Sequence, residues 1–383
     1  MDFELDEDQL GLQEAAAAML AKECPASYLR SVVDHDHDPA DLWKTLGGLD
    51  WPGLAIPAEH GGSGASAVEL AIVVEQLGYV GDPTPFLATT TQFVPLVTAC
   101  GDAEQRSRFL GAVAGNGEAG TLALAGSNGR WDPHAPPIEA QRSPGGWRLH
   151  GTASFVLDAD RVTELAVPAR TPEGVAAFVV PADAARITRV PSIDEVLHLT
   201  EVELDGVEVA DDRRLAGGAD GDNGDGATGC ALALDHAVTG LAMATVGACQ
   251  RALDMVLEHV RGREQFGVPI GSFQAVRHKA VDMYVAIERA RALGYFAALT
   301  IAEGDDRRSL AASMAKAAAG DAQRISVQHG IQLFGGIGFT WENDVHLYLR
   351  RAKAGELLLG GSAEHRARVA AQLLAPPTTT AEA

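Results

Sequence analysis

Gln332-Leu-Phe-Gly-Gly-Ile-Gly-Phe-Thr-Trp-Glu342 decides the fold, together with Arg263-Glu-Gln-Phe-Gly-Val-Pro-Ile-Gly-Ser-Phe-Gln274, about 70 residues before it. Gly267 and Pro269 break a long helix, so the earlier segment reads as a helical hairpin whose Arg263 could bind a phosphate. The glycines of the later segment let a ligand approach backbone N–H groups, but a glycine helix stop explains them equally well. From these residues alone, a plain hairpin with a surface arginine and a phosphate site both remain open.

Working outward from these segments, the chain divides into regions of different periodicity. Helical spacing of apolar residues predicts a helical N-terminal domain at 1–118, and short apolar runs between turns predict an antiparallel β domain at 119–215. An acidic, glycine-rich linker at 216–229 precedes a helical bundle of four-helix type at 230–375, and a flexible tail is predicted at 376–383. The predicted fold class is therefore α+β, with the layers segregated along the chain.

The overall charge excludes several classes of partner. The chain has 52 acidic and 30 basic side chains and a formal net charge of -22, which argues against nucleic acid and against an anionic membrane surface. No run approaches about 18 uninterrupted apolar residues, and the acidic start is unlike a signal peptide. The four cysteines are far apart and lack metal-type spacing, which favours a reduced, cytoplasmic protein.

The charge is unevenly distributed along the chain. Residues 1–120 carry a net charge of -14 and residues 121–226 a net charge of -9, whereas residues 227–383 carry +1. The acidity therefore belongs to the first two regions, and the C-terminal region is nearly neutral.

Other motifs in the sequence do not carry chemistry. Asp34-His-Asp-His-Asp38 has metal-ligand residue types, but consecutive residues cannot all face one ion, so a solvated loop is expected. Asp220-Gly-Asp-Asn-Gly-Asp-Gly226 fails the calcium-loop pattern at its fifth and twelfth positions. A metal site is therefore not expected. No dinucleotide GxGxxG after a strand, no P-loop and no GxSxG elbow occurs, so dinucleotide-binding, P-loop and α/β-hydrolase chemistry are unsupported.

The two opening segments together resemble the acyl-CoA dehydrogenase family, and the resemblance extends over nearly the whole chain. Gly53-Leu-Ala-Ile-Pro-Ala-Glu-His-Gly-Gly-Ser-Gly64 resembles the turn of the family's N-terminal domain, and Glu69 to Gly78 resembles the helix after it. Gln332 to Lys353 aligns without a gap to the family's QxxGGxGf…RrAK segment. The resemblance implies three domains, with FAD bound at a subunit interface and its pyrophosphate and adenine held by the neighbouring subunit.

The resemblance also implies roles for particular residues. Arg263 would bind the FAD pyrophosphate, with Phe266 packed beside it and Gln265 adjacent. The residues that would line the adenosine and pyrophosphate path are Gln332, Gly335 and Gly336.

The family's catalytic base is missing at both of its known positions. The family reaction is α,β-dehydrogenation of an acyl-CoA thioester, in which a carboxylate removes the α-proton and hydride leaves for FAD. By motif, the base positions fall on Leu359 and Ala237, and neither side chain can take a proton. Asp235 is a weak candidate two residues away, and Glu356 and Glu364 are expected to be solvated or ion-paired.

The flavin-facing segments depart from the family as well. The family's TEPxxGSD segment reads Leu124-Ala-Gly-Ser-Asn-Gly-Arg130 here, and its KxWIT segment reads Thr152-Ala-Ser-Phe-Val-Leu157. The residues that would hold the pyrophosphate and adenosine of the neighbouring subunit's FAD are present in this sequence. The residues that would contact the flavin ring in this subunit's own site are not. This asymmetry resembles the non-catalytic subunit of actinobacterial α2β2 acyl-CoA dehydrogenases that act on sterol side-chain thioesters. The sequences of His198 to Gly206 and of Phe339 to Arg351 also resemble that branch.

The leading prediction is therefore a subunit that completes a shared FAD site beside a paralogous, base-bearing acyl-CoA dehydrogenase. A self-sufficient homotetrameric flavin oxidoreductase, a dehydrogenase or monooxygenase using another base such as Asp235, is the first alternative. The second alternative is a structural or regulatory partner that binds no flavin.

Overall fold

Helices and strands segregate along the chain into a helical N-terminal domain, a β domain and a C-terminal helical bundle, as predicted. The computed structural model describes residues 5–216 and 226–374. The predicted tail at 376–383 and most of the predicted linker lie outside these residues. The N-terminal helices are α1 (Glu7–Glu23), α2 (Ala26–His35), α3 (Ala40–Gly48), α4 (Ala67–Val80), α5 (Phe86–Ala88), α6 (Val94–Cys100) and α7 (Ala103–Asn116).

Side-chain caps determine where several of these helices begin. Asp6 caps α1 and Ser66 caps α4, each in a capping box in which the third helical residue, Gln9 or Glu69, returns a hydrogen bond to the cap backbone. Gln9 also donates from Nε2 to Glu69 Oε1 (2.6 Å), which joins the two helix starts. Between α5 and α6 the chain forms a single π-helical turn over Thr89–Phe93.

The middle domain is one seven-stranded sheet in the order β1-β4-β2-β3-β7-β6, with β5 paired to β4. The strands are β1 (Gly120–Leu122), β2 (Ile138–Ser143), β3 (Gly146–Leu157), β4 (Glu164–Thr171), β5 (Gly174–Pro181), β6 (Arg186–Val190) and β7 (Leu199–Val209).

Most strand pairs of the middle domain are antiparallel, as predicted, but β4 pairs in parallel with both β1 and β2. Strand β3 follows β2 in a hairpin and pairs antiparallel with it. Strands β1 and β2 both pair with the same edge of β4, at residues 164–166 and 169–170, because β5 pairs along the whole opposite edge. The other pairings in the sheet are antiparallel.

The C-terminal region consists of long helices arranged around one central helix, α8. Its elements are α8 (Gly226–Gly262), β8 (Glu264–Gln265), β9 (Val268–Pro269), α9 (Gln274–Ala302), α10 (Arg308–Phe334), α11 (Val345–Leu357) and α12 (Ser362–Leu374). Among the described residues, α8 is long and apolar enough to cross a membrane, but 78% of its most apolar window is buried inside the protein. Its apolar residues therefore serve as the core of the bundle.

The central helix begins inside the range that the sequence assigned to a linker. Residues 226–229 form the first turn of α8, although glycine and threonine do not favour a helix. A Cβ at Gly226 would lie 2.6 Å from the carbonyl oxygen of Val175, and a Cβ at Gly229 would overlap the sulfur of Cys100. Close packing against the sheet and α6, which only glycine allows, determines this helix start.

A close crossing of α4 and α8 provides a test of the packing. A Cβ at Gly247 would overlap the carbonyl oxygen of Glu75, whereas a Cβ at Gly11 in α1 would meet nothing within 4 Å. We expect Gly247→Ala to lower the free energy of unfolding by about 1–3 kcal/mol, because the two helices must separate. Gly11→Ala should raise it by about 0.5–1 kcal/mol, because alanine favours the helix. Urea unfolding of both variants measures the difference, and equal effects would contradict the close crossing.

Candidate functional site

The connection between α8 and α9 is a short hairpin formed by β8 and β9. Its ends are fixed, because the N–H of Arg263 donates to the carbonyl of His259 (2.8 Å) and the N–H of Ile270 donates to the carbonyl of Arg263 (2.8 Å). Phe266 adopts φ of +54°, which is uncommon for a residue with a Cβ, and its side chain is 93% exposed. Arg263 and Gln265 are exposed as well. The hairpin therefore presents a cation and an aromatic ring outward from the chain.

The glycine-rich segment begins where α10 ends at Phe334. Gly335 has φ of +65°, and a Cβ built on Gly335 or on Gly336 would meet nothing within 4 Å. Gln332 and Phe339 on either side are exposed. The space in front of this backbone is therefore available to a ligand, since no element among residues 5–216 and 226–374 fills it.

The two segments meet at one end of the bundle. The ring of His259, one turn before Arg263, stacks on the ring of Phe334 with centroids 4.6 Å apart and planes 21° apart. Because Phe334 directly precedes the glycines, this contact brings the arginine hairpin and the glycine segment together. The structure thus combines residues about 70 positions apart into one surface.

Trp341 anchors the far end of the glycine segment to the N-terminal domain. Its indole N–H donates to Asp34 Oδ1 (2.9 Å). The guanidinium groups of Arg30 and Arg350 lie 5.4 and 5.2 Å from its ring centroid. These contacts fix the backbone that would face a nucleotide.

The two base positions inferred from the family converge, but in an apolar core. Leu359 and Ala237 are both buried, at 3% and 1% exposure, and belong to one hydrophobic cluster. That cluster also contains the flavin-facing segments and the end of α11, through Leu124, Ala125, Trp131, Leu157 and Leu358. A proton acceptor is therefore absent at both positions, and hydrophobic side chains fill the space around them.

The loop that carries Leu359 is held in place by two buried polar side chains. Lys316 Nζ donates to the carbonyls of Glu356 (2.9 Å) and Gly360 (2.8 Å), and burial lowers the pKa of Lys316 to about 7. Nε2 of His365 is 2.8 Å from the carbonyl oxygen of Leu359, so as its donor tautomer it completes the loop's support. These contacts stabilise the φ of +57° at Leu359, a conformation that is rare for leucine.

The residues present fit FAD in one half-site and not in the other. The exposed Arg263, Gln332 and glycine backbone supply donors of the kind that hold a diphosphate. The half-site between the sheet and α11 instead contains an apolar cavity of about 290 Å³, partly walled by Trp131 and Phe155. A flavin ring needs hydrogen-bonding partners that this apolar wall does not provide.

Asp235 is buried but already has partners. Its Oδ2 accepts a hydrogen bond from Ser309 Oγ (2.7 Å) and lies 3.3 Å from Arg308 Nε. Burial raises the pKa of Asp235, and the hydrogen bond from Ser309 opposes the rise. Asp235 faces a polar cavity of about 610 Å³, which Arg368 also lines. Trp131 lines both this cavity and the apolar cavity, and Asp235 lies on the side of Trp131 that faces the polar one.

The remaining acidic candidates are ion-paired. Glu356 pairs with Lys353 (2.8 Å), and Glu364 pairs with Arg368 (2.8 Å). The segment 34–38 ends α2 and turns toward α3, in accord with a loop. Within residues 5–216 and 226–374, no group of three or more histidine, cysteine, aspartate or glutamate side chains could hold a metal ion.

Sequence reasoning missed His259, Lys316 and Trp131. His259 lies four residues before Arg263, and this helical spacing could have marked it as a neighbour of the site. Lys316 is a single charge in an alanine-rich run, a pattern that signals a buried polar contact. No sequence pattern indicates that Trp131 would become a wall between two cavities.

Comparison with known proteins places the chain in one family. The profile "Acyl-CoA dehydrogenase, N-terminal domain" matches residues 6–117, and "Acyl-CoA dehydrogenase, C-terminal domain" matches residues 224–374. The acyl-CoA dehydrogenase IpdE2 of Mycobacterium tuberculosis is 29% identical over 383 residues, covering 97% of this chain and 99% of the relative.

Two solved structures of complexes are also similar. The ChsE4-ChsE5 complex from Mycobacterium tuberculosis superposes with a TM-score of 0.88 at 27% identity, covering 98% of this chain and 100% of that chain. A variant of the Tcur3481-Tcur3483 steroid ACAD superposes with a TM-score of 0.84 at 30% identity, covering 96% of this chain and 98% of that chain.

Proposed function

The chain belongs to the acyl-CoA dehydrogenase family, and we propose that it is the non-catalytic subunit of a heteromeric FAD-dependent acyl-CoA dehydrogenase. It completes the FAD site of a paralogous subunit that carries the catalytic base. The complete enzyme removes hydrogen from the α and β carbons of an acyl-CoA.

One observation carries this proposal. Leu359 and Ala237 occupy both base positions with buried apolar side chains, while Arg263 and the Gln332–Gly336 backbone remain exposed on the same chain. A self-sufficient enzyme needs both halves of the site, because proton abstraction must occur next to the flavin. A subunit that only completes a partner's site needs the exposed half alone.

Each exposed group has a role toward the partner's cofactor. FAD, when bound, supplies the acceptor for the substrate hydride. Arg263 pairs with the FAD diphosphate, and the glycine backbone donates N–H groups along the nucleotide. Phe266 would pack beside the diphosphate, a role that accounts for a phenylalanine with 93% exposure in the single chain.

The similar complexes support a heteromeric assembly, for which α2β2 is the proposed stoichiometry. One of them is the ChsE4-ChsE5 complex and another is called a steroid ACAD, so a bulky or steroid-type thioester is the proposed substrate class. The role is in lipid or steroid catabolism. The four cysteines are all buried, in keeping with a reduced, cytoplasmic setting.

Co-purification tests the proposal. We expect the chain purified alone to be colourless and inactive, because its own flavin half-site is lined by apolar side chains. Co-expression with a base-bearing paralogue, first of all one encoded next to it, should give a yellow complex that reduces its flavin with an acyl-CoA. Yellow colour and dehydrogenase activity from this chain alone would contradict the proposal.

Asp235 supports a second candidate function, a homotetrameric flavin oxidoreductase that acts alone. Its buried carboxyl has a raised pKa and faces a polar cavity, both features of a catalytic base. Against this, Ser309 and Arg308 already engage its oxygen. Flavin reduction by an acyl-CoA in the chain alone, abolished by Asp235→Asn, would favour this candidate.

A further inference from the structure

His259 occupies the junction between the arginine hairpin and the glycine segment. It is half-buried near the end of α8, its carbonyl accepts the N–H of Arg263, and its ring stacks on Phe334. Among the described residues no hydrogen bond to its ring nitrogens is present, so the imidazole remains able to gain a proton.

The charge around the imidazole is positive. The pKa of His259 is lowered by burial and by the charge of Arg263, which is the only charged group acting on it among the described residues. The element stacked on the ring, α10, presents the uncharged Phe334. The imidazole is therefore neutral near neutral pH while nothing is bound to Arg263.

We propose that His259 is a positioning residue of the FAD site, which takes up a proton from solvent when the FAD diphosphate binds to Arg263. This inference rests on the proposed function. The diphosphate brings two negative charges to Arg263, so it cancels the repulsion between the guanidinium and an imidazolium. The protonated ring then adds a second cation to the site while it keeps its stack on Phe334.

The direction of the pH dependence follows from this uptake. The complex with FAD holds more protons than the complex without it. FAD affinity therefore rises as pH falls from the pKa of His259 with FAD bound to its lower pKa without FAD. One proton can change the dissociation constant by at most about tenfold per pH unit. The FAD diphosphate itself stays ionised across this range.

The test uses the mixed complex stripped of flavin and titrated with FAD between about pH 6 and pH 8, followed by fluorescence quenching. We expect wild-type binding to tighten at low pH and His259→Phe to show no such dependence, because phenylalanine keeps the ring stack but cannot take a proton. Calorimetry in buffers of different ionisation enthalpy should detect proton uptake in the wild type and none in His259→Phe. His259→Gln, a neutral polar replacement, should also be independent of pH.

A matched control is available on the same chain. His346 also stacks on an aromatic ring, that of Trp341, at 4.7 Å, and burial lowers its pKa too. We expect His346→Phe to keep the wild-type pH dependence. A His259→Phe complex with wild-type pH dependence and proton uptake would overturn the inference. An FAD dissociation constant that Arg263→Ala leaves unchanged would instead contradict the proposed function, so the two failures are distinguishable.

Discussion

Arg263→Ala is expected to remove most of the FAD from the mixed complex. The side chain is exposed in the single chain and would pair with the diphosphate across the subunit interface, and hydrogen bonds to a charged group contribute about 1.5–3 kcal/mol. The FAD dissociation constant should therefore rise roughly 10- to 150-fold. The flavin-to-protein ratio after gel filtration and a fluorescence titration measure both effects.

Arg186→Ala provides the control for loss of a surface charge. Arg186 is also exposed, but it lies on β6 and pairs with Glu203 there. This variant should keep its flavin and its dissociation constant. An unchanged flavin-to-protein ratio in Arg263→Ala would show that the hairpin does not contribute to the FAD site.

Leu359→Glu is expected to lower the free energy of unfolding by about 3–5 kcal/mol at neutral pH, without creating a dehydrogenase. The new carboxyl would be buried in the apolar cluster, and Lys316 already donates to two backbone carbonyls of the same loop. Burial raises the folded-state pKa of a carboxyl above its unfolded value, so the loss is complete above the folded pKa. Stability should recover as pH falls through that pKa toward about 4.3.

Two further substitutions at this position separate charge from shape. Leu359→Gln has nearly the volume of glutamate but no charge, so its cost should not depend on pH. Leu359→Met conserves volume and should cost less than about 1.5 kcal/mol. Chemical unfolding at several pH values measures all three variants, and identical pH profiles for the glutamate and glutamine variants would mean that position 359 is not sealed from water.

The sequence predicts the domain order well because periodicity is a local property. Strand β2 leaves only a weak signal in the sequence, because Ile138 and Ala140 are its two buried residues, in a short polar run behind prolines. The parallel pairing of β4 depends on which strands become neighbours in space, and no local pattern encodes that order.

The site divides in the same way. Arg263 and the glycine segment carry motifs, so the sequence identifies them and the structure shows that they meet. The contact that joins them, His259 on Phe334, is a ring stack between distant helices and leaves no motif. The roles assigned to Arg263, Gln265, Phe266, Gln332, Gly335 and Gly336 remain predictions until FAD binding is measured.

The filled cluster around Leu359 and Ala237 has an evolutionary consequence. Once proton abstraction is left to a partner, each apolar side chain that fills the vacated space stabilises the fold, and selection for stability retains it. Restoring a carboxylate then meets neighbours adapted to its absence, so the first step backward is deleterious by itself. In the heteromer that we propose, such epistasis opposes reversal, so dependence on the partner subunit becomes self-reinforcing over time.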